Sequence, residues 1–130
     1  MLNFDGAQVR DLLGTLQQVT PRTITSWVRL LTELARAREI GVTFGFGEYT
    51  PGVGGVAAPV RDSTNEIVAS IALSIPFGTS TSREFLQLAQ RVRESSQMLS
   101  EALGSTLGSR SRGISIEERA LKDPSIWMTR

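Results

Sequence analysis

Between Gly41 and Pro76 the apolar residues recur at every second position, whereas on either side of that stretch they recur at spacings of three and four. Side chains alternate faces along a strand and share one stripe along a helix, so a chain with this pattern has to set a small sheet among helices. Glu48-Tyr49-Thr50-Pro51-Gly52 and Asp62-Ser63-Thr64-Asn65 cut the stretch into three runs. Turn-forming clusters of this kind between short runs predict an antiparallel three-stranded meander.

Split by parity, each run has two unequal faces. Val42, Phe44 and Phe46 oppose Thr43, Gly45 and Gly47 in the first run, and Val56, Ala58 and Val60 oppose Gly55, Ala57 and Pro59 in the second. In the third, Ile67, Ala69, Ile71, Leu73 and Ile75 oppose Val68, Ser70, Ala72 and Ser74. With matched registers, one face of the sheet is a core of large aliphatic and Phe side chains and the other is paved with Gly, Ala, Ser and Thr. A whole face of small residues has three readings. It can receive a helix packed close against glycines, it can be plain solvent-exposed surface, or it can be the floor of a small-molecule pocket oriented by the hydroxyls of Thr43, Ser70 and Ser74.

The flanking segments carry helix punctuation. Asp5 is placed to cap a short helix with Val9, Leu12, Leu13 and Leu16 on one face, and Pro21 closes that unit. Thr23 to Ser26 offer caps for a stronger helix bearing Val28, Leu31, Leu34 and Ala35, which Gly41 ends. After Phe77-Gly78, Thr81 and Glu84 form a capping box, and Phe85, Leu88, Val92, Leu99 and Leu103 trace an apolar stripe to about Gly104. This third helix is expected to cover the sheet. Gly108-Ser109-Arg110-Ser111-Arg112-Gly113 has the composition of a linker, and Ile126-Trp127-Met128 is apolar enough to dock. The expected organisation is one domain over 1–104, followed by a linker and C-terminal tail over 105–130.

A chain of 130 residues, 40% of them hydrophobic, has room for one core. It holds neither Cys nor His, which excludes disulfide scaffolds, Cys or His nucleophiles, the Ser-His-Asp triad, zinc fingers and nearly every His-ligated metal site. Carboxylate, hydroxyl and backbone chemistry remain. The 14 Lys and Arg against 13 Asp and Glu leave a formal net charge of +1, and the cations, all arginine except Lys122, are scattered along the chain. That balance offers no footprint for a nucleic-acid backbone, so this chain alone is not expected to bind DNA. The best apolar run, Ile67 to Phe77, is too short to span a bilayer and is broken by Ser70, Ser74 and Pro76. Met1-Leu2-Asn3-Phe4-Asp5 lacks the basic start of a secretory signal, and a cytoplasmic protein with no membrane partner is the expectation.

Four segments, in order, resemble the effector-binding domain of IclR-type bacterial transcriptional regulators. They are Thr20-Pro21-Arg22-Thr23-Ile24-Thr25, the helix Leu30 to Gly41, the stretch from Glu48 through Pro51-Gly52-Val53-Gly54-Gly55-Val56-Ala57-Ala58-Pro59-Val60, and Ile67 to Ser74. The likeness runs from about Leu2 to Gly104. It implies a GAF-like α+β fold, an antiparallel sheet flanked by helices, that binds a small metabolite and helps the regulator oligomerise. It also implies that DNA is held only through a separate winged helix-turn-helix domain not present in this chain. Carried over residue by residue, the ligand-binding positions are Gly45, Gly55, Ala72 and Ser74, all on the small face. The family commonly has Asp, Cys and Ser at the first three of these, so only Ser74 is kept. An effector more apolar than a simple keto acid is implied.

The resemblance also implies that the early strands of the domain are absent from this chain. The strand from Glu66 to Ile75 would then lack a neighbour, and open backbone groups along such an edge cost on the order of 1–3 kcal/mol each. A homo-oligomer or a companion chain is expected to cover it, in preference to the tail from Ile114 to Met128.

Other motifs point nowhere. Gly52-Val53-Gly54-Gly55-Val56-Ala57 has the spacing of the dinucleotide fingerprint, but Val56 to Val60 reads as strand where a helix should open, and Ala72 stands where an acidic ribose ligand is needed. No Gly-Lys-Ser/Thr follows a glycine cluster, so there is no P-loop. Glu48 and Glu66 read as solvated turn residues, and Arg110 and Arg112 as part of a solvated linker. No catalytic residue, metal site or cofactor is expected, because an enzyme would need a general base that the small face lacks. The functional expectation is a small-molecule-sensing and oligomerising domain of an IclR-type regulator. The alternative is a structural or dimerisation module whose pocket has degenerated.

Overall fold

A computed structural model describes residues 2, 4–76, 81–107 and 115–122. Helix α1 (Gly6–Leu13) starts at Asp5, whose side chain accepts from the Gln8 N–H while the Gln8 side chain accepts from the Asp5 N–H, both at 2.9 Å. Helix α2 (Trp27–Ile40) is capped by Ser26 and ends at Gly41, which takes the left-handed conformation at φ +80°. The two helices touch where Gly6 meets Leu31 and where the Arg10 guanidinium lies 5.4 Å from the centre of the Trp27 ring. Val9 is fully buried, but Leu12 is exposed and Leu16 lies beyond the helix. In α2 the buried residues are Leu34, Ala37 and Ile40, while Val28 and Ala35 face solvent. The expected stripe is therefore displaced toward the C-terminal half of α2, where Ile40 joins the main core.

The sheet forms as the alternation requires. Strands β1 (Thr43–Phe46), β2 (Val53–Arg61) and β3 (Ile67–Pro76) lie in the order β1-β2-β3, both pairs antiparallel. The β2–β3 turn is held by Asp62, whose carboxylate accepts from the Thr64 N–H and hydroxyl and from the Glu66 N–H. Those bonds, led by the Thr64 hydroxyl, hold the Asp62 carboxyl below its ordinary value.

Helix α3 (Ser82–Ala102) opens on the expected capping box, and the Glu84 carboxyl, bonded by the Thr81 backbone and hydroxyl, is likewise held low. It lies across the bulky face of the sheet, where Phe85 packs against Phe46 and Phe44 with ring centres 5.0 and 5.8 Å apart. The expected apolar stripe holds for Phe85 and Val92 and fails beyond them, since Leu99 and Leu103 are 42% and 46% exposed. Ser96 and Ser100 are buried in their place.

The reason lies in the strand lengths. The β1–β2 pairing stops at Thr43 opposite Ala57, while β2 continues to Arg61. Val53 accepts from the Gly47 N–H on the β1 side, and strand alternation aims Pro59 and Arg61 the same way, into the space β1 leaves. There Ser96 donates to the Pro59 carbonyl at 2.6 Å and Ser100 accepts from the Arg61 N–H at 2.9 Å. Serine hydroxyls thus complete the ladder, and a leucine at either position would leave a buried backbone group unsatisfied.

Helix α4 (Ile116–Lys122) packs on α3 and contributes Ile116 and Ala120 to the core. This part of the tail lies on the α3 side. The expected linker Gly108 to Gly113, the Phe77-Gly78 turn and the docking segment Ile126-Trp127-Met128 fall outside the described residues. Among the described residues, no strand pairs with the outer edge of β3, and no helix is long and apolar enough to cross a membrane.

Candidate functional site

The registers bring the four expected positions together on one face. Gly45 pairs with Gly55 and Gly55 with Ser74, making a single row across all three strands. The next row on that face is Thr43, Ala57 and Ala72, and Pro59 lies opposite Ser70 beyond it. Val68, Ser70, Ala72 and Ser74 are exposed, and Thr43, Gly45, Gly55 and Ala57 are half-buried. The large side chains of the same strands turn to α3, with Phe44, Val56, Ala58 and Val60 buried.

The glycines in this row are not made necessary by a helix packed on them. A Cβ placed on Gly45 would meet only the Glu48 carboxylate, at 3.6 Å, and one on Gly55 only the Leu73 carbonyl, at 3.5 Å. Both are ordinary contacts, and neither glycine has a positive φ. Among the described residues, open space therefore stands above the row, bounded at the Gly45 end by a carboxylate.

Glu48 is thus not the solvated turn residue expected. It is half-buried, with one carboxylate oxygen fully buried and the other beside Gly45. A clamp from the segment between α1 and α2 explains its placement. Thr20 is buried and donates from its hydroxyl to the Gly47 carbonyl at 2.5 Å, and Thr23 donates to the Glu48 carbonyl at 2.6 Å. The two threonines are themselves joined, the Thr20 N–H donating to the Thr23 hydroxyl at 2.8 Å and the Thr23 N–H to the Thr20 carbonyl at 3.1 Å. A closed Thr-Pro-Arg-Thr turn therefore grips the β1–β2 connection and fixes Glu48 against the small face. Thr20 and Thr23 already stood out as part of a four-segment likeness, but nothing in local spacing says that they bond to a turn 25 or more residues away.

The site can do simple chemistry. It offers a flat apolar floor, the hydroxyls of Ser74, Ser70 and Thr43, and one carboxylate at its end. Among the described residues no group of Asp or Glu is arranged to hold a metal ion. Gly52 to Ala57 lies at a turn and in β2 rather than at the opening of a helix, as expected from Val56 to Val60.

Residues 3–101 match the family model described as the bacterial transcriptional regulator IclR C-terminal domain. The chain is 35% identical over 89 residues to the HTH-type transcriptional repressor AllR of Escherichia coli K12, an alignment covering 68% of this chain and 33% of that protein. It therefore spans about a third of the length of the curated relatives it matches. Among solved structures it is similar to the Agobacterium tumefaciens repressor BlcR, with a TM-score of 0.73 and 26% identity over 79% of this chain and 42% of that one. It also superposes on the C-terminal domain of the E. coli transcriptional regulator KdgR, with a TM-score of 0.72 and 24% identity over 81% and 65% of the two chains. The α+β fold with its antiparallel sheet is the one these domains share, and the relatives are transcriptional regulators rather than enzymes.

Proposed function

The chain belongs to the IclR family of bacterial transcriptional regulators and carries its C-terminal regulatory domain, and from that premise we propose that the small face of the sheet receives a small-molecule effector. Gly45, Gly55, Ala72 and Ser74 form the floor in this reading. The observation that carries it is the row Gly45, Gly55 and Ser74, left open on a sheet whose other face is closed by α3. Such a floor suits a flat, largely apolar molecule, because three of the four positions have no side-chain donor or acceptor. The effector is accordingly more apolar than a simple keto acid. Residues 1–104 act as the sensing domain and 105–130 as linker and tail, in a cytoplasmic regulator that reaches its operator through a separate winged helix-turn-helix domain.

A thermal-shift panel of small aromatic and apolar metabolites tests the reading. A true effector at about 100 times its dissociation constant stabilises the chain by about 2.7 kcal/mol. The same compound fails on Gly55→Trp, where the indole fills the floor. A panel without hits on the chain, or a hit that survives in Gly55→Trp, rejects the site.

The outer edge of β3 supports a second reading, a structural or dimerisation module. From Ile67 to Pro76 the strand carries no charge, and among the described residues its outer edge is unpaired. A second copy of the chain or a companion chain pairs there in this reading. Light scattering distinguishes the two: a monomer across the micromolar range rejects a self-paired edge.

A further inference from the structure

A cavity of about 410 Å³ opens at the edge of the sheet beyond the end of β1, between the end of α2, the overhanging end of β2, α3 and the loop after it. Three arginines are among its lining residues, Arg38, Arg61 and Arg93. Glu39 is its one acidic lining residue, and that carboxylate is already bonded to Arg119. The arginines bond to neutral oxygens. Arg61 donates one Nη1 hydrogen to the Asn65 carbonyl at 2.7 Å, and Arg38 donates from Nε and Nη2 to the carbonyls of Leu2 and Phe4. Among the described residues neither has a carboxylate partner, and each guanidinium has five N–H donors, so most remain to be used. Arg93, at 7% exposure, donates to the Ile40 carbonyl and to Gln90, and burial pulls its pKa down although Glu94 opposes the shift.

The hydroxyl hydrogens around the cavity are committed. Ser96 donates to Pro59, Ser100 to the Ser96 carbonyl and Ser105 to the Asn65 side chain. Arg38 and Arg61 therefore supply donors, and their planar forks match the oxygens of phosphate and carboxylate. The volume is that of a metabolite site. We propose that this cavity is an anion site, separate from the small face, that takes a small metabolite bearing a phosphate or a pair of carboxylates, held chiefly by Arg38 and Arg61. The two positive charges of Arg38 and Arg61, bonded to neutral oxygens, favour a doubly charged ligand over a monoanion.

Titration of the isotopically labelled chain with inorganic phosphate and, separately, with succinate tests the assignment, with sodium chloride at matched ionic strength as the control. The proposal expects saturable movement of the Arg38 and Arg61 Nε–H signals and of the Arg61 and Ser100 amides, with Gly45, Gly55, Ala72 and Ser74 unmoved. Phosphate acting alone identifies a phosphate ester, and succinate acting alone a dicarboxylate. Arg61→Gln weakens binding about tenfold. Arg38→Gln, at an exposed position outside the core, does the same. Movement matched by chloride, unchanged binding in Arg38→Gln, or movement centred on the small face would overturn the assignment.

Discussion

Two glycines of this chain answer to different physics. Gly41 sits at φ +80° with Arg93 Cδ 3.3 Å from where a Cβ would stand, so a side chain there is both strained and crowded. Gly41→Ala is expected to cost about 1–2 kcal/mol, the usual penalty for a left-handed L-residue, in urea denaturation. Gly55 has an ordinary φ and open space above it, so Gly55→Ser is expected to fold with stability within about 1 kcal/mol of the parent. Equal losses at both positions would mean that the small face is packed after all. Ser96 is a third case: Ser96→Ala strands the Pro59 carbonyl and is expected to cost about 1–3 kcal/mol in the same assay, although an alanine is the better helix former.

At the scale of the elements, two exposed carboxylates tie turns and caps to pH. Asp62 and Glu84 are both held below the ordinary carboxylate value near 4 by hydrogen bonds to their ionised forms. A lowered folded-state pKa contributes stability above the unfolded value that is lost as pH falls through the folded one. The melting temperature is therefore expected to drop as pH is lowered from about 5 toward 2, and the drop is expected to be shallower in Glu84→Gln and Asp62→Asn. A slope unchanged by either substitution would remove these two groups from the account.

The elements were largely legible in the sequence because period and punctuation are local. The meander, the Asp5 and Thr81 caps and the Gly41 stop each depend on residues within a few positions of one another. The alternation also indicated that Gly45, Gly55, Ala72 and Ser74 share a face, because a strand register that matches the bulky side chains must match the small ones too. What stayed hidden was non-local. Leu99 and Leu103 point outward because β2 outruns β1 and recruits Ser96 and Ser100, a consequence of strand lengths on the far side of the sheet. Glu48 is turned onto the small face by Thr20 and Thr23, which no pattern around Glu48 encodes.

At the scale of the whole molecule, the sheet carries two chemistries: an apolar floor with Ser74 and Glu48 on its small face, and an arginine-lined cavity at the edge beyond β1. The open edge of β3 lies beside the floor, so a strand docked there would border the effector. If copies pair through this edge, Val68→Lys, an exposed position at the start of β3, is expected to shift the chain toward monomer in sedimentation. No change in assembly would place the contact elsewhere. The small face is the proposed sensing surface, and amide chemical-shift mapping with a stabilising compound from the aromatic and apolar panel tests that role most directly. The expected result is saturable movement concentrated at Gly45, Gly55, Ala72 and Ser74, with the amides of α3 still; movement centred on α3, or none in the β1–β3 rows, would contradict it.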